Sequence, residues 1–418
     1  DLCSLSCGSS IQSYSIVRDV STSGDARRQH CAIMYAEITF WVCFGLVTYI
    51  YVGYLAGVLL LAPVMRRDVI KADVTPGISV VISAFNEERE IERTVVNKLS
   101  QDYPSDRLEV IVVSDGSTDR TDEIVRGLVD RSEGRLKLFR QEPRQGKTQA
   151  LNMAMEHSSG EIVVFADANS IYSPKAIRSL VRSFADPSVG YVTGQIVYTN
   201  PTGSGVGAGT GSYMSYENML RTCETRLGSI VGVDGGIDAI RRALYVPMRA
   251  DQLPDFVLPL SVVEQGRRVV YEPDAVVYEP ALSDAVNEFR MRVRVSLRAM
   301  WALYDKRILL NPMSGPLFAW QLMSHKVFRY GAFLPLFGLL LSNMLTMNQH
   351  PFYAWFLGVQ VLAYTLAIMG HFLRHASWVV AKMLMPYYFL IVNAACALSF
   401  WKFLRGQKIV LWTPRVGA

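Results

Sequence analysis

Charge is scarce in this chain. Only 19% of its 418 residues are Asp, Glu, Lys or Arg, where a soluble domain carries about 25%. Cysteine supplies no framework: the six cysteines include no Cys-x-x-Cys pair, which argues against a zinc site. Neither G-x-x-x-x-G-K-[ST] nor a G-x-G-x-x-G after a strand occurs, which disfavours a P-loop or dinucleotide fold. No basic stripe interleaved with aromatics is present, so no nucleic-acid partner is expected. What abounds is apolar: half of the residues are hydrophobic and the mean hydropathy is +0.19. Such a composition excludes a disordered chain, a collagen-like or coiled-coil rod and a small disulfide scaffold, and speaks against an ordinary cytosolic enzyme.

The apolar excess is unevenly spread. From Ile38 to Val64 there is no charge, with Glu37 before the run and Arg66 and Arg67 after it. A bilayer takes about 20 residues to cross, and the run is too long and starts too late for a cleaved signal peptide. From Lys71 to Arg307 charges are frequent. Tyr330 to Met347, Phe352 to Leu373 and Met383 to Trp401 are again uncharged apart from His371. The pattern predicts one span, a soluble domain and three further spans. The 42 basic against 37 acidic residues leave a net charge of +5. Basic residues gather beside the spans, at Arg66 and Arg67, from Arg290 to Lys326, and at Lys402, Arg405 and Lys408. That placement suits anionic headgroups or phosphates. The first 35 residues are polar, Ser-rich and without periodicity, and read as a tail. Within it, Cys3 and Cys7 can pair on an oxidising side or stay free thiols.

From residue 78 the chain alternates strand and helix. Apolar strand runs at Ile78–Ser83, Leu108–Val113, Leu136–Phe139 and Glu161–Phe165 are separated by helical spacing at Glu88–Leu99, Thr121–Leu128 and Gln149–Glu156. Near-continuous apolar strands between helices indicate parallel βαβ units, which bind ligands at the carboxyl ends of the strands. Those ends carry Ala84-Phe85-Asn86-Glu87-Glu88, Ser114-Asp115-Gly116-Ser117-Thr118-Asp119 and Ala166-Asp167-Ala168-Asn169-Ser170. Each can cap a helix, and Asp119 fits that role. Three on one rim point to a small-molecule site. Gly203 to Gly211 is Gly-rich and reads as a flexible loop, a candidate gate.

In order and spacing, PGISVVISAFNEE, VVSDGSTD, RQGKTQALN and FADANS resemble the nucleotide-binding half of a family-2 inverting glycosyltransferase with the GT-A fold. VDGGIDAIRR, LPDFVLPL, GRRVVYEPDAVVYE and the C-terminal spans resemble the membrane-embedded hyaluronan, chitin-oligosaccharide, poly-N-acetylglucosamine and cellulose synthases. The resemblance covers residues 40 to 415 and implies an α/β GT-A domain joined to a helical membrane region. The implied parts are a polar tail (1–35), a transmembrane helix (36–66), the catalytic domain (74–283), amphipathic interface helices (284–327), transmembrane helices (328–403) and a C-terminal tail (404–418).

The resemblance also implies residue roles. Asp115 holds the uracil ring of a UDP-sugar donor, with Ala84 and Glu87 near the uridine, and Lys147 lies near the donor, with Arg144 a further candidate. Asp167 opens the family's D-x-D motif, which binds a divalent cation, Mg²⁺ or Mn²⁺. Asn169 stands where the second acid falls, and its amide oxygen can still ligate such a cation. Asp255 is the general base: in a single displacement the acceptor hydroxyl must lose its proton, and a carboxylate within reach can take it. It follows Leu253-Pro254 in place of another acid, and Asp251 is a second candidate in the cluster. Gly235 and Gly236 match the acceptor-side loop, where backbone approaches a sugar closely. Of the family's Q-x-x-R-W motif only Arg294 survives, implied at the donor diphosphate, with Trp301 the candidate to replace the acceptor-stacking Trp.

Read from the residues alone, Asp284 to Leu310 is an amphipathic basic helix. Phe289, Val293, Leu297, Met300 and Tyr304 share one face, and Arg290, Arg294 and Arg298 another. The implied activity is transfer of a sugar from a UDP-sugar to a growing glycan, an exopolysaccharide, by a multi-pass enzyme of the cell (plasma or inner) membrane. Its catalytic domain faces the cytoplasm, where nucleotide sugars are. Two other readings are a polyprenyl-phosphate sugar transferase and a non-catalytic nucleotide-sugar-binding subunit. One span before the domain and three after it put the tail outside, against its own Lys402, Arg405, Lys408 and Arg415. The sugar, the linkage, the product length and the oligomeric state are left open.

Overall fold

The computed structural model describes residues 10–199, 205–280, 285–372 and 385–410. The chain divides into two compact units, residues 1–49 with 332–365 and residues 50–331 with 366–418.

The second unit holds the α/β domain. Its sheet contains β1 (Ile78–Ala84), β2 (Leu108–Ser114), β3 (Leu136–Arg140), β4 (Ile162–Asp167), β5 (Ile171–Tyr172), β6 (Val189–Tyr198), β7 (Ile237–Arg241) and β8 (Arg268–Glu279). The order across it is β3-β2-β1-β4-β7-β6-β8-β5. The first four strands are mutually parallel, as their apolar runs predict. Beyond β4 the sheet is mixed: β7 is antiparallel to both β4 and β6, while β8 is parallel to β6.

In chain order the helices are α1 (Ser10–Thr48), α2 (Tyr54–Val64), α3 (Ile91–Leu99), α4 (Thr121–Val129), α5 (Lys147–His157), α6 (Ala176–Val181), α7 (Gly205–Leu227), α8 (Pro254–Glu264) and α9 (Ala285–Asp305). Then follow α10 (Pro316–Leu322), α11 (Phe328–Tyr330), α12 (Phe333–Thr346), α13 (Pro351–Phe372) and α14 (Met385–Leu404). One sheet face packs Ile91 and Val95 of α3 and Val125 of α4 on Val80, Ile82 and Val110. The other packs Leu151 and Ala154 of α5 and Phe256 and Leu260 of α8 on Val81, Phe165 and Ile240. Both faces are covered, so the strands need no polar face, which is why they read as unbroken apolar runs.

Also in this unit, Tyr54, Val58 and Ala62 of α2 pack on Leu220, Cys223 and Leu227 of α7. The Tyr54 hydroxyl donates to Glu224 at 2.5 Å, and His325 Nδ1 lies 2.7 Å from the same oxygen. α9 lies along α14: Ser399 donates to the Val293 carbonyl at 2.9 Å and Arg292 to the Tyr388 hydroxyl at 2.5 Å. The first unit is knit by aromatic rings. Phe40 meets Tyr353 edge-on at 5.0 Å, Trp41 stacks on Phe352 at 5.7 Å, and Trp41 Nε1 donates to the Tyr353 hydroxyl at 3.2 Å.

Among the described residues three helices are long and apolar enough to cross a membrane: Arg28–Val64, Pro351–Gly370 and Pro386–Leu404. A fourth exists only if Pro316–Tyr330 and Phe333–Thr346 form one broken span. The structure differs from the sequence reading at three places here. Residues 10–35 are helical and continue into the first span instead of forming a loose tail. A helix polar on all sides has no apolar stripe to reveal it. The 330–347 run yields only the 14-residue α12. Within the Gly-rich segment, 205–211 begin α7 and are not loop, while residues 203 and 204 lie outside the described residues, as do Cys3 and Cys7. Cys31, Cys43, Cys223 and Cys396 are free.

Candidate active site

The loops leaving β1 and β2 interlock at the sheet's carboxyl edge. Asn86 N donates to Ser117 Oγ at 3.2 Å, and Thr118 N donates back to Asn86 Oδ1 at 2.8 Å. Glu87, implied near the uridine, sits in this loop with its N–H on Thr121 Oγ1 at 2.9 Å. Asp119 Oδ1 accepts from Thr121 N at 3.0 Å, but the N-cap of α4 is the next residue, Arg120, so Asp119 braces the turn ahead of the cap and is not the cap itself.

Asp115 is buried and gathers the segment before α5. Its carboxylate accepts from Gln141 Nε2 at 2.6 Å, Gln145 N at 2.8 Å, Gly146 N at 3.0 Å and Arg144 Nε at 3.3 Å. Gly146 turns at φ 93°, where a side chain is strained. The Arg144 guanidinium lies 3.5 Å from the Phe85 ring centroid. Ser83, Ala84, Phe85, Asp115 and Lys147 line one cleft.

Lys147 opens α5. Its Nζ donates to Asp167 Oδ1 at 2.7 Å and lies 3.9 Å from Asp255 Oδ1. Burial opposes its charge, but Asp167 and Asp255 outweigh burial and hold the ammonium above the ordinary lysine range. Asp255 follows Pro254 in the first turn of α8, where proline needs no N–H partner. Burial raises its pKa above the usual carboxylate value; Lys147 opposes the rise, Asp167 adds to it, and Arg298 and Arg294 oppose it. Gly235 stands directly against this carboxylate: at φ 87°, a Cβ there would meet Asp255 Cγ at 2.6 Å. A Cβ on Gly236 would meet Glu279 Oε1 at 2.5 Å.

Two side chains have different surroundings from those expected. Arg298 does not face headgroups. It is buried, donating to Thr148 Oγ1 at 3.0 Å and to the carbonyls of Asp251 at 3.3 Å and of Gln252. Burial pulls its pKa down to about 10. Its neighbours come from α5 and the 250–252 loop, which a helical periodicity cannot show. Arg294 is half-buried, and Arg290 is exposed. Trp301 is committed to the tail in place of the expected acceptor stacking: Nε1 donates to the Gln407 carbonyl at 2.8 Å, and the ring packs on Phe403 at 4.6 Å. Asp251 is taken up by Lys408 at 2.5 Å and Arg249 at 3.2 Å. Burial alone would raise its pKa; Lys408 and Arg249 bring it below the usual range.

The Asp167–Asn169 turn rests on α3. Thr94 Oγ1 donates to the Ala168 carbonyl at 2.7 Å, and Lys98 Nζ to the Ser170 carbonyl at 2.6 Å. Asn97 bonds both N–H and C=O of Tyr172, at 2.8 and 3.0 Å. Burial brings Lys98 down to about 7 against the pull of Glu279 and Asp167. Under the metal and donor roles that the resemblance implies for this turn, Lys98→Met should loosen it and raise the Mn²⁺ concentration needed for half-maximal UDP binding on the order of tenfold, the size of effect seen when an orienting hydrogen bond near a metal ligand is lost. Titration calorimetry with UDP at graded Mn²⁺ measures it; an unchanged value would mean that the turn holds without Lys98.

Among the described residues no three His, Cys, Asp or Glu side chains could by themselves hold a metal ion. The donor set is one carboxylate, Asp167, and one amide oxygen, Asn169, and a cation, the Lys147 ammonium, already sits 2.7 Å from that carboxylate. Such a set fits Mg²⁺ or Mn²⁺ completed by phosphate oxygens and water, not a caged ion.

Asp238 escaped sequence reasoning. It is 1% exposed on β7, both of its oxygens are without a hydrogen-bond partner, and burial followed by the nearby Asp255 pushes its pKa up to about 8. A lone acid inside an apolar strand run was the available signal.

Residues 79–245 match the glycosyl transferase family 2 profile. The poly-beta-1,6-N-acetyl-D-glucosamine synthase of Staphylococcus aureus is 26% identical over 251 residues, 59% of this chain and 58% of that protein. The probable glycosyltransferase YdaM of Bacillus subtilis is 27% identical over 312 residues, 71% of this chain and 72% of that one. Thus the match to the synthase spans little more than half of its length. In architecture the chain is similar to the mannosyltransferase PcManGT from Pyrobaculum calidifontis, solved with GDP-Man and Mn²⁺, at a TM-score of 0.69 and 21% identity, over 88% of this chain and 99% of that one. The mixed sheet with its acidic carboxyl edge is a GT-A domain. The similarity to glycosyl transferase family 2 thus falls on the domain that carries this edge.

Proposed function

We propose that the protein is a membrane-integrated, inverting glycosyltransferase that moves a sugar from a UDP-sugar to a growing exopolysaccharide. The observation that carries this reading is the convergence of Asp167, Lys147 and Asp255 beside the Asp115 cleft. Uracil enters the cleft lined by Ala84 and Asp115, with Glu87 at its rim. Lys147 and Arg294 meet the diphosphate. Mg²⁺ or Mn²⁺, held by Asp167 and Asn169, neutralises diphosphate charge. Gly235 and Gly236 leave room for the acceptor sugar against Asp255, whose pKa, raised by burial, makes it a stronger base than an ordinary carboxylate. The similarity to a poly-N-acetylglucosamine synthase favours a polymeric product.

The test is the purified protein in lipid with Mn²⁺ and a panel of UDP-sugars, scored by UDP release and product size. One donor should release UDP and give products of several sugars. A single lipid-linked sugar would point to a polyprenyl-phosphate transferase, and no turnover with any donor would overturn the reading.

The tail contact supports a membrane arrangement with the catalytic domain in the cytoplasm. Lys408 bonds Asp251 of the catalytic-type domain, so an even number of crossings separates them. α12 is the run that does not cross alone: its 14 residues reach about 21 Å at 1.5 Å per residue, short of the ~30 Å hydrocarbon core. The cell (plasma or inner) membrane follows from where an exopolysaccharide leaves the cell. In a background with the native cysteines replaced, Arg405→Cys and Lys175→Cys should react with an impermeant maleimide from the same side. Labelling from opposite sides would contradict the arrangement.

A further inference from the structure

Three carboxyl groups stand around one ammonium at the reaction site. Lys147 is bonded to Asp167, and Asp255 and Asp238 lie beyond it. If all three acids were ionised, they would outnumber the ammonium between them three to one where a diphosphate must bind, with Arg294 and Arg298 the further cations acting on Asp255. The fold relieves Asp238 only weakly: neither of its oxygens makes a hydrogen bond of good geometry, and the Thr193 hydroxyl, opposite it on β6, and Lys147 are what favour its charge. A buried carboxylate without partners is costly, and such a group takes up a proton instead. Asp238 also follows the Gly235–Gly236 turn, against whose first residue the Asp255 carboxylate rests. The two acids therefore flank one turn, in the arrangement where one negative charge is shared between neighbouring carboxyls.

Resting on the transferase reading of Asp255, we infer that Asp238 is a positioning residue: it stays a neutral carboxylic acid behind the turn, so that the single negative charge of the pair sits on Asp255, facing the acceptor. The groups facing Asp238 are Asp255 from α8, Asp234 from the preceding loop, Lys147 from α5, Thr193 and Tyr191 from β6, and Tyr172 from β5. Burial, Asp255 and Asp234 favour its proton, and Thr193 and Lys147 oppose it. Asp238 ionises as pH rises past about 8. Its contribution to stability is complete below the ordinary Asp pKa of about 3.9 and is lost as pH rises through that folded value.

Infrared difference titration of the whole protein in lipid reads the proton directly. At pH 7 the wild type should show a protonated-carboxyl carbonyl band that disappears in the alkaline range and is missing in Asp238→Asn. In Asp255→Asn the band should vanish at lower pH, because the neighbouring charge is gone. Neither readout needs turnover, so an inactive wild type would sink the transferase reading and leave this one to be decided by the band. With turnover, the alkaline fall in kcat/KM should disappear in Asp238→Asn. The absence of a band that depends on Asp238, a band indifferent to Asp255→Asn, or an alkaline limb that persists in Asp238→Asn would each overturn the inference.

Discussion

Asp255→Asn is expected to lower turnover on the order of 10² or more, the range for loss of a general base, while UDP with Mn²⁺ binds as before. The amide keeps the shape of the side chain and its place in the first turn of α8 but cannot accept a proton. Donor binding should survive because the uridine cleft and the Asp167–Asn169 turn are built from other elements, β1, β2, α5 and β4. The same substitution removes a carboxylate that supports the Lys147 charge, but Asp167, bonded to Lys147 at 2.7 Å, maintains it. Single-turnover sugar transfer and UDP calorimetry on the same preparation separate the two effects. Unchanged turnover would remove Asp255 from the base role; joint loss of turnover and UDP binding would make it a structural residue.

Gly235→Ala should have a comparable effect without touching any charged group. At φ 87° an alanine is strained, by about 1–3 kcal/mol, and its Cβ would fall 2.6 Å from Asp255 Cγ. The carboxylate must move, because the Gly235 backbone is tied to the start of β7. A displacement near 1 Å of a reacting group costs on the order of 10² in rate. The loss should appear in kcat, with the donor KM within about threefold of wild type, since the donor cleft is unaltered. A variant with normal kcat would show that the turn can shift away from the base and that close approach at Gly235 is not needed.

The parts of this molecule that were legible in the sequence are those where local pattern and tertiary role coincide. Ile78–Ala84 and Ile162–Asp167 are apolar because both sheet faces are covered, and Asp115 and Asp167 stand out because they end such runs. Asp255 is named by the resemblance of LPDFVLPL to the family's acid at a helix start, and it lies in the first turn of α8. Residues 10–35 were read as a tail because a helix polar on every side leaves no periodic trace. The run from 330 to 347 was counted as a span because composition does not register the helix break between Tyr330 and Phe333. Arg298 was given a solvent-facing side by its i, i+4 spacing, but the 250–252 loop closes over it. Trp301 and Asp251 are held by Gln407 and Lys408, more than a hundred residues away. Such partners are set by tertiary topology and leave no mark on spacing.

The side of attack at the anomeric carbon tests the central claim most directly. The purified protein is supplied with the donor that releases UDP, carrying its sugar in the α configuration, and the new linkage is read by proton NMR of the anomeric resonance. A β linkage, absent when Asp255 is Asn, is the result predicted by one displacement with Asp255 as base. An α linkage, or a β product formed equally well by Asp255→Asn, would contradict it.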